Sequence, residues 1–183
     1  MLKIMHRLGR ADGAEIAEAA LVLPLVFMFL LGIVWFGRAF QIYSTITQAA
    51  QRGAVMAARP TCATCPSPGD NWNGTNFPGN TTVENSVFSV MDASSLDRSQ
   101  VRMYFPVLPN CPNTPPLPPN PGCTTTANNV TICRSVQLNG IATPPQCGTV
   151  VSFQYPFQFN LPFTSLNMQS IVLKAQAQSR MEN

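Results

Sequence analysis

The sequence is poor in charged residues and in the side chains that most enzymes use for acid–base chemistry. Only 10% of its 183 residues are charged, against roughly 25% in typical soluble proteins, and its one histidine is His6. A Ser–His or Cys–His pair therefore has no base beyond the basic N-terminal arm. Lysine and arginine are scattered, so the net charge of +3 predicts no nucleic-acid partner. These shortages argue against a charge-rich cytosolic enzyme.

Apolar residues are concentrated near the N-terminus. No residue from Ala19 to Gly37 is charged, and a helix over this stretch would be about 28 Å long, close to the roughly 30 Å hydrocarbon core of a bilayer. Because the stretch is apolar on every face, we predict a transmembrane span over 19–37, in which Pro24 is tolerated. A cleaved secretory signal peptide is the alternative, but the stretch is longer than such signals usually are and no small-residue cleavage site follows closely.

The helix is predicted to continue beyond the span, as one long helix over 14–59. Arg59 ends it, because the residue before a proline is pushed out of the helical conformation. Small and apolar residues recur at spacings of three and four along its outer half and form a seam. Two adjacent stripes make up the seam: Ala39, Ile42, Ile46, Ala49, Gly53 and Met56, and Phe36, Phe40, Tyr43, Thr47, Ala50, Ala54 and Ala57. The seam packs either on the protein's own outer domain or against another subunit.

The remainder, 60–183, is predicted to form an outer domain with one short helix and several strands. We expect the helix over about 82–93, with Thr81 and Glu84 as a capping box. Period-two alternation predicts strands at Val101–Val107, Val130–Leu138, Val151–Phe159 and Ile171–Gln178. Pro156 places the third strand at an edge or marks a bulge. The predicted fold class is α+β, with the outer half of the long helix packed on a small antiparallel sheet.

Six cysteines lie beyond the span, at Cys62, Cys65, Cys111, Cys123, Cys133 and Cys147. In a proline-rich domain they indicate an oxidising compartment and up to three disulfides, for which 15 pairings exist. One such set joins Cys111 to Cys123 across the proline-rich loop 106–121, Cys133 to Cys147, and Cys62 to Cys65. Redox catalysis or a zinc site at Cys62 and Cys65 is the alternative, but no second ligand pair lies at short spacing. Neither a metal nor another cofactor is predicted.

Two segments carry a family resemblance. Residues 13–19 read Gly-Ala-Glu-Ile-Ala-Glu-Ala and precede Leu-Val-Leu-Pro-Leu at 21–25, and the C-terminal end holds the two apolar strands at 149–157 and 170–182. A glycine followed five residues later by glutamate, and then by an apolar helix with an early proline, is similar to the processing site of type IV pilin-like proteins. The sequence most closely resembles the TadE-like family of the tight adherence (Flp) pilus apparatus. The resemblance covers about 10–59 and 148–182, and no motif is assigned between them.

The resemblance implies how the N-terminus is processed and what it contacts. Gly13 would end a basic cytoplasmic leader over 1–13, and a prepilin peptidase would cut before Ala14. Glu18 would then pair with the new amino group of a neighbouring pilin-like subunit, because a carboxylate at the lip of a span needs a cation. Glu15 offers a second carboxylate for this contact. Position 19 is Ala, where many pilin-like proteins carry an aromatic residue.

The implied function is that of a minor pseudopilin without catalytic activity. It would span the bacterial inner membrane once, with the N-terminus in the cytoplasm and a pilin-like head in the periplasm, and would assist assembly or initiation of a tight adherence pilus. The alternative is a signal-anchored periplasmic binding or adhesion module that does not join a pilus. An extracytoplasmic hydrolase or redox enzyme is a third reading, for which no carboxylate spacing gives support.

Overall fold

A computed structural model describes residues 5–59, 77–111, 122–139, 144–158 and 170–180, with the side chains of the first helix described from Ile16 onward. The chain divides into two compact units, Met1–Phe40 and Gln41–Asn183. Its elements are α1 (Met5–Ala58), α2 (Asn80–Ala93), a 3₁₀ turn (Arg98–Gln100), β1 (Cys123–Thr125), β2 (Thr131–Gln137), β3 (Cys147–Phe157) and β4 (Ile171–Arg180). The predicted α+β class, with a long N-terminal helix and a small antiparallel sheet, is confirmed.

The long helix α1 ends where the sequence predicts. Its last helical residue is Ala58, because Arg59 precedes Pro60 and cannot adopt the helical conformation easily. Pro24 lies inside the helix, where its missing N–H leaves one carbonyl of the preceding turn without its usual partner. The apolar stretch therefore forms one continuous helix in spite of this proline.

The four strands form one antiparallel sheet in the order β1-β2-β3-β4. β3 is the central element, since it pairs with β2 from Cys147 to Ser152 and with β4 along its whole length. The register between β2 and β3 shifts between Cys133 and Val136, and Ser135 within this bulge has a positive φ of 59°. A bulge of this kind inserts an unpaired residue and bends the strand.

One face of the sheet carries the core of the second unit. The buried seam of α1 and the apolar face of α2 pack on inward side chains of β2, β3 and β4, among them Ile132, Val151, Phe153 and Ala177. Within the seam, the buried residues are Ile46, Ala49, Ala50, Gly53, Ala54 and Ala57. This part of the seam therefore packs on its own domain, whereas Tyr43 and Met56 are exposed.

The strand predicted at Val101–Val107 is not formed. No strand forms over 101–110, where Arg102 makes an isolated bridge to Gln154, with two backbone hydrogen bonds of 2.8 Å. The alternating residues Met103, Phe105 and Val107 are all exposed. The antiparallel pairing of Arg102 with Gln154 cannot continue, because β2 already pairs with β3 at Ser152 and Val151. The fourth strand is instead β1, whose three residues are too few to show an alternating pattern.

The position predicted for Pro156, at an edge strand or a bulge, is wrong, since β3 lies inside the sheet. The backbone N–H and C=O of Gln154 both bond to Arg102, on the β2 side of β3. Pro156 lies two residues further along the strand, so its backbone groups face the same side. No described strand lies beside β3 there, because β2 pairs only as far as Ser152. The sheet therefore loses no hydrogen bond through the missing N–H of Pro156. On its opposite edge, β3 still pairs with β4 at this position, where Pro156 lies opposite Val172.

The helix predicted over 82–93 is confirmed, but its capping box is wrong. α2 begins at Asn80, with Gly79 at the N-cap position and no side chain capping the first turn. Glu84 is buried, and its Oε1 accepts a hydrogen bond from Asn128 Nδ2 in the turn between β1 and β2. A local capping role is therefore replaced by a contact to a residue distant in the sequence.

Candidate functional site

The apolar part of α1 exposes its side chains. Between Ile16 and Gly37 no residue is buried, and the large apolar side chains along this stretch are exposed on all sides, as at Leu21 and Met28. Soluble proteins rarely expose so large a continuous apolar surface. By its length and composition this is the one helix among the described residues that could cross a membrane, in agreement with the predicted span.

The C-terminal end of this apolar stretch carries an aromatic and a cationic side chain. The guanidinium carbon of Arg38 lies 5.9 Å from the ring centroid of Trp35. Tryptophan and arginine are both enriched at membrane–water interfaces, where the ring lies among the headgroups and the charge reaches water. The pair is therefore placed as expected for the end of a span near Gly37.

The predicted processing site lies within helical backbone. α1 passes through Gly13 and Ala14 without interruption, so no helix end marks the predicted cleavage point. Glu15 and Glu18 are three residues apart on this helix, and residues at this spacing share a face. The side chain of Glu18 is exposed and forms no ion pair within the described part of the chain. The structure does not describe the side chains of Ala14 and Glu15.

The described part of the head contains two disulfides, and these four cysteines pair differently from the set suggested above. Cys111 is bonded to Cys147, and Cys123 is bonded to Cys133, so the suggested pairs Cys111–Cys123 and Cys133–Cys147 are wrong. The strand register explains the observed pairs. Cys123 lies directly opposite Cys133 in the β1–β2 ladder. Asn110 bridges to Val136, next to Gln137, which is the partner of Cys147.

These disulfides attach the two ends of the proline-rich loop to the sheet. Cys111 and Cys123 flank residues 112–121, which lie outside the described residues. One end of the loop is bonded to β3 through Cys147, and the other is bonded to β2 through Cys133. The loop is thus anchored to two neighbouring strands instead of being closed on itself. Cys62 and Cys65 also lie outside the described residues.

A half-buried arginine joins the sheet to the start of α2. Arg134 donates from Nη1 to Asn80 Oδ1 at 2.8 Å and from Nη2 to the carbonyl oxygen of Pro78 at 2.7 Å. Burial lowers the pKa of this guanidinium from its ordinary value. Arg134 is a charged residue inside the strand predicted at Val130–Leu138. Such an interruption of the alternating pattern is the signal in the sequence for a contact of this side chain. Its geometry indicates a structural role, since a guanidinium fork bridges two acceptors well.

The described residues contain no group of three or more histidine, cysteine, aspartate and glutamate side chains that could hold a metal ion. The carboxylates of the described head each have a hydrogen-bond or ion-pair partner within the head. Glu84 bonds to Asn128, Asp92 pairs with Arg98, and Asp97 accepts hydrogen bonds from the backbone and hydroxyl of Ser99. These hydrogen bonds lower the pKa of Asp97, as expected for a capping carboxylate.

An apolar, exposed helix followed by a small α+β head fits a membrane-anchored, pilin-like protein. The sequence model of the TadE-like protein family matches residues 13–55, which confirms the resemblance inferred from the N-terminal residues. The match spans the predicted processing site, the apolar stretch and most of the buried seam, and it does not include 148–182. No curated protein and no solved structure matches the chain.

Proposed function

We propose that this protein is a TadE-like minor pseudopilin that assists assembly or initiation of a tight adherence pilus without catalysing a reaction. The observation that carries the proposal is the family match over 13–55, a range that includes Gly13, Glu18 and the apolar stretch. The other pilin-like subunits of the pilus would be its partners, and the prepilin peptidase would act on it as a substrate.

The proposed location is the bacterial inner membrane, with residues 1–13 in the cytoplasm and the head in the periplasm. The two disulfides of the head support this orientation, because disulfides persist in oxidising compartments such as the periplasm. Charge counting decides less, since Arg38 and Arg52 follow the span while Lys3, Arg7 and Arg10 precede it.

The first test is the N-terminal residue of the protein isolated from native membranes, determined by mass spectrometry. We expect a mature N-terminus at Ala14, because cleavage after Gly13 would leave Glu18 as the fifth residue. An intact N-terminus at Met1 would contradict the processing and would favour the anchored binding or adhesion module instead. A Gly13→Leu variant provides the matched control, since it should keep the leader while leaving the apolar stretch unchanged.

The second test concerns the subunit contact. The proposed pairing of Glu18 with a neighbouring amino group predicts that Glu18→Ala prevents pilus assembly while the protein still inserts into the membrane. Glu15→Ala is the matched control, because it removes a carboxylate three residues away on the same helix. Normal assembly with Glu18→Ala would contradict the contact, and loss of assembly only with Glu15→Ala would transfer the role to Glu15.

A further inference from the structure

The two edges of the described sheet differ in length. β1 forms one edge with three residues, and Asn110 bridges to Val136 on the same side of β2. β4 forms the other edge with ten residues. It pairs with β3 at each of these residues without a register shift, and it contains no proline. Proteins usually shorten, bend or cover such an edge, because its unpaired backbone groups can bind another strand.

Alternate residues of β4 direct their backbone groups to the free edge. Arg102 exchanges two backbone hydrogen bonds with Gln154, so the backbone groups of Gln154 face away from β4. The next residue, Tyr155, therefore faces β4, where it pairs with Leu173. The residues of β4 on either side of Leu173, and every second residue after them, direct N–H and C=O outward. They are Val172, Lys174, Gln176, Gln178 and Arg180, all with exposed side chains, and no described strand lies beside them.

The free edge of β4 is cationic. Lys174 and Arg180 are its charged residues, and none of the four described strands contains an aspartate or a glutamate. Both cations lie on the same face of β4, because they are separated by an even number of residues. The ammonium group of Lys174 lies 5.0 Å from the ring centroid of Tyr104, a contact that holds it over this face of the sheet.

The described carboxylates of the head lie on the other face of the sheet. Glu84 and Asp92 belong to α2, which packs on the face that carries the core. Asp97 acts on Tyr155, whose side chain belongs to the same core. Glu182 follows β4 and lies outside the described residues. Within the described head, the charges of Lys174 and Arg180 are therefore not neutralised by a carboxylate on their own face.

We propose that the free edge of β4 binds an extended acidic segment of another protein, which joins the sheet as an antiparallel strand with carboxylates opposite Lys174 and Arg180. In strand addition of this kind, backbone hydrogen bonds give affinity and alternate side chains give specificity. A second copy of β4 fits less well, because it would bring its own two cations into the same ladder. The proposal concerns the head alone and requires neither a pilus nor a membrane anchor.

Three synthetic peptides test the contact with the full-length protein in detergent micelles. The acidic peptide, Glu-Thr-Thr-Thr-Thr-Thr-Glu-Thr-Val, would lie antiparallel to β4 with its glutamates opposite Arg180 and Lys174 and its valine opposite Val172. The second peptide has lysine in place of both glutamates. The third is the acidic peptide N-methylated at its third and fifth residues, which removes two N–H groups that would face β4. Fluorescence anisotropy measures the binding of each labelled peptide.

We expect the acidic peptide to bind at least about tenfold more tightly than either the lysine peptide or the N-methylated peptide. Its binding should weaken as salt is added, because the charge pairs are exposed. When it is bound, hydrogen exchange should slow at the outward amides of β4, which are those of Val172, Lys174, Gln176, Gln178 and Arg180.

Variants of β4 test the same contact from the side of the protein. Gln176→Pro removes an outward N–H and leaves the hydrogen bonds between β3 and β4 in place, so it should bind the acidic peptide at least about fivefold more weakly. Gln176→Thr is the matched control, because it keeps the N–H and should bind normally. Lys174→Gln with Arg180→Gln should reduce the preference for the acidic peptide. If Gln176→Pro does not fold, the N-methylated peptide tests these hydrogen bonds on the unaltered protein.

Four results would overturn the proposal. Absence of binding of the acidic peptide would exclude the edge as a site for such a strand. Equal binding of the N-methylated peptide would show that no strand is added, and equal binding of the lysine peptide would remove the charge preference. Slow exchange of the outward amides without any peptide, and increasingly so at higher protein concentration, would assign the edge to a second copy of the chain.

Discussion

Gly53 of α1 lies so close to Val87 of α2 that no side chain fits between them. A Cβ atom at Gly53 would lie 2.6 Å from Cγ2 of Val87 and 3.4 Å from Cγ1 of Val151. The outer half of α1, helix α2 and the central strand β3 therefore meet at this glycine. The reason for a glycine inside a helix, where alanine would usually be about 1 kcal/mol more favourable, is this close approach.

Gly53→Ala is expected to destabilise the head by about 1 kcal/mol net, because overpacking costs about 1–3 kcal/mol and exceeds the gain in helix propensity. The measurement is the free energy of unfolding in denaturant. Gly37→Ala is the matched control, since a Cβ there meets no atom within 4 Å. Adding Val87→Ala to Gly53→Ala should restore part of the loss beyond additivity, and strict additivity would show that the two residues do not compete for this space.

The two disulfides of the head should differ in their contribution to stability. Cys111 and Cys147 are 36 residues apart in the sequence, and Cys123 and Cys133 are 10 residues apart. The first disulfide therefore closes the longer loop. On a chain-entropy basis, replacing the first pair by serine should cost about 4 kcal/mol and replacing the second about 3 kcal/mol. The free energy of unfolding of the two double variants measures the difference.

Peptide mapping without reduction checks the disulfide pairing itself. A peptide that joins Cys111 to Cys123 would contradict the pairing described here.

Much of the fold follows from local patterns in the sequence. The uncharged stretch and the proline after Arg59 define α1, which ends at Ala58, and the alternation from Val151 onward marks β3. These features depend on side chains that are neighbours along the chain, so their period is visible without knowledge of the fold.

The missed features depend on partners that are distant in the sequence. Residues 101–107 alternate as well as β3 does, but β2 already pairs with β3 where their pairing would continue, so they form no strand. β1 is defined by its register with β2, which also decides that Cys123 bonds to Cys133. At the candidate site, Gly13 and Glu18 belong to a motif that is local in the sequence, whereas the contact between Glu84 and Asn128 joins residues that are distant in the sequence.

The contact between Glu84 and Asn128 predicts a pH-dependent variant. Asn128→Asp would place a second carboxylate against the buried Glu84, and one of the two would have to take up a proton or bear the repulsion. We expect a loss of about 1–3 kcal/mol at neutral pH, which decreases as the pH is lowered and one carboxylate becomes protonated. Unfolding at several pH values measures it. Glu84→Gln is the control background, in which Asn128→Asp should have little effect at any pH.

The buried phenol of Tyr155 predicts a loss of stability in alkaline solution. Burial raises the pKa of Tyr155 above its ordinary value of 10.0, although a backbone hydrogen bond from Asp97 acts in the opposite direction. Above this ordinary value the unfolded chain ionises its tyrosine while the folded chain keeps the proton. The unfolded state then binds fewer protons, so the free energy of unfolding must fall as the pH rises through the window between the two pKa values.

Tyr155→Phe should remove this part of the pH dependence, because phenylalanine has no proton to lose. The slope of the unfolding free energy against pH should become less negative by at most about 1.4 kcal/mol per pH unit, which is the limit for one proton. Tyr43→Phe is the matched control, since it removes a phenol from an exposed side chain. Equal slopes for Tyr155→Phe and the unaltered protein would mean that the phenol ionises as readily in the folded head as in the unfolded chain.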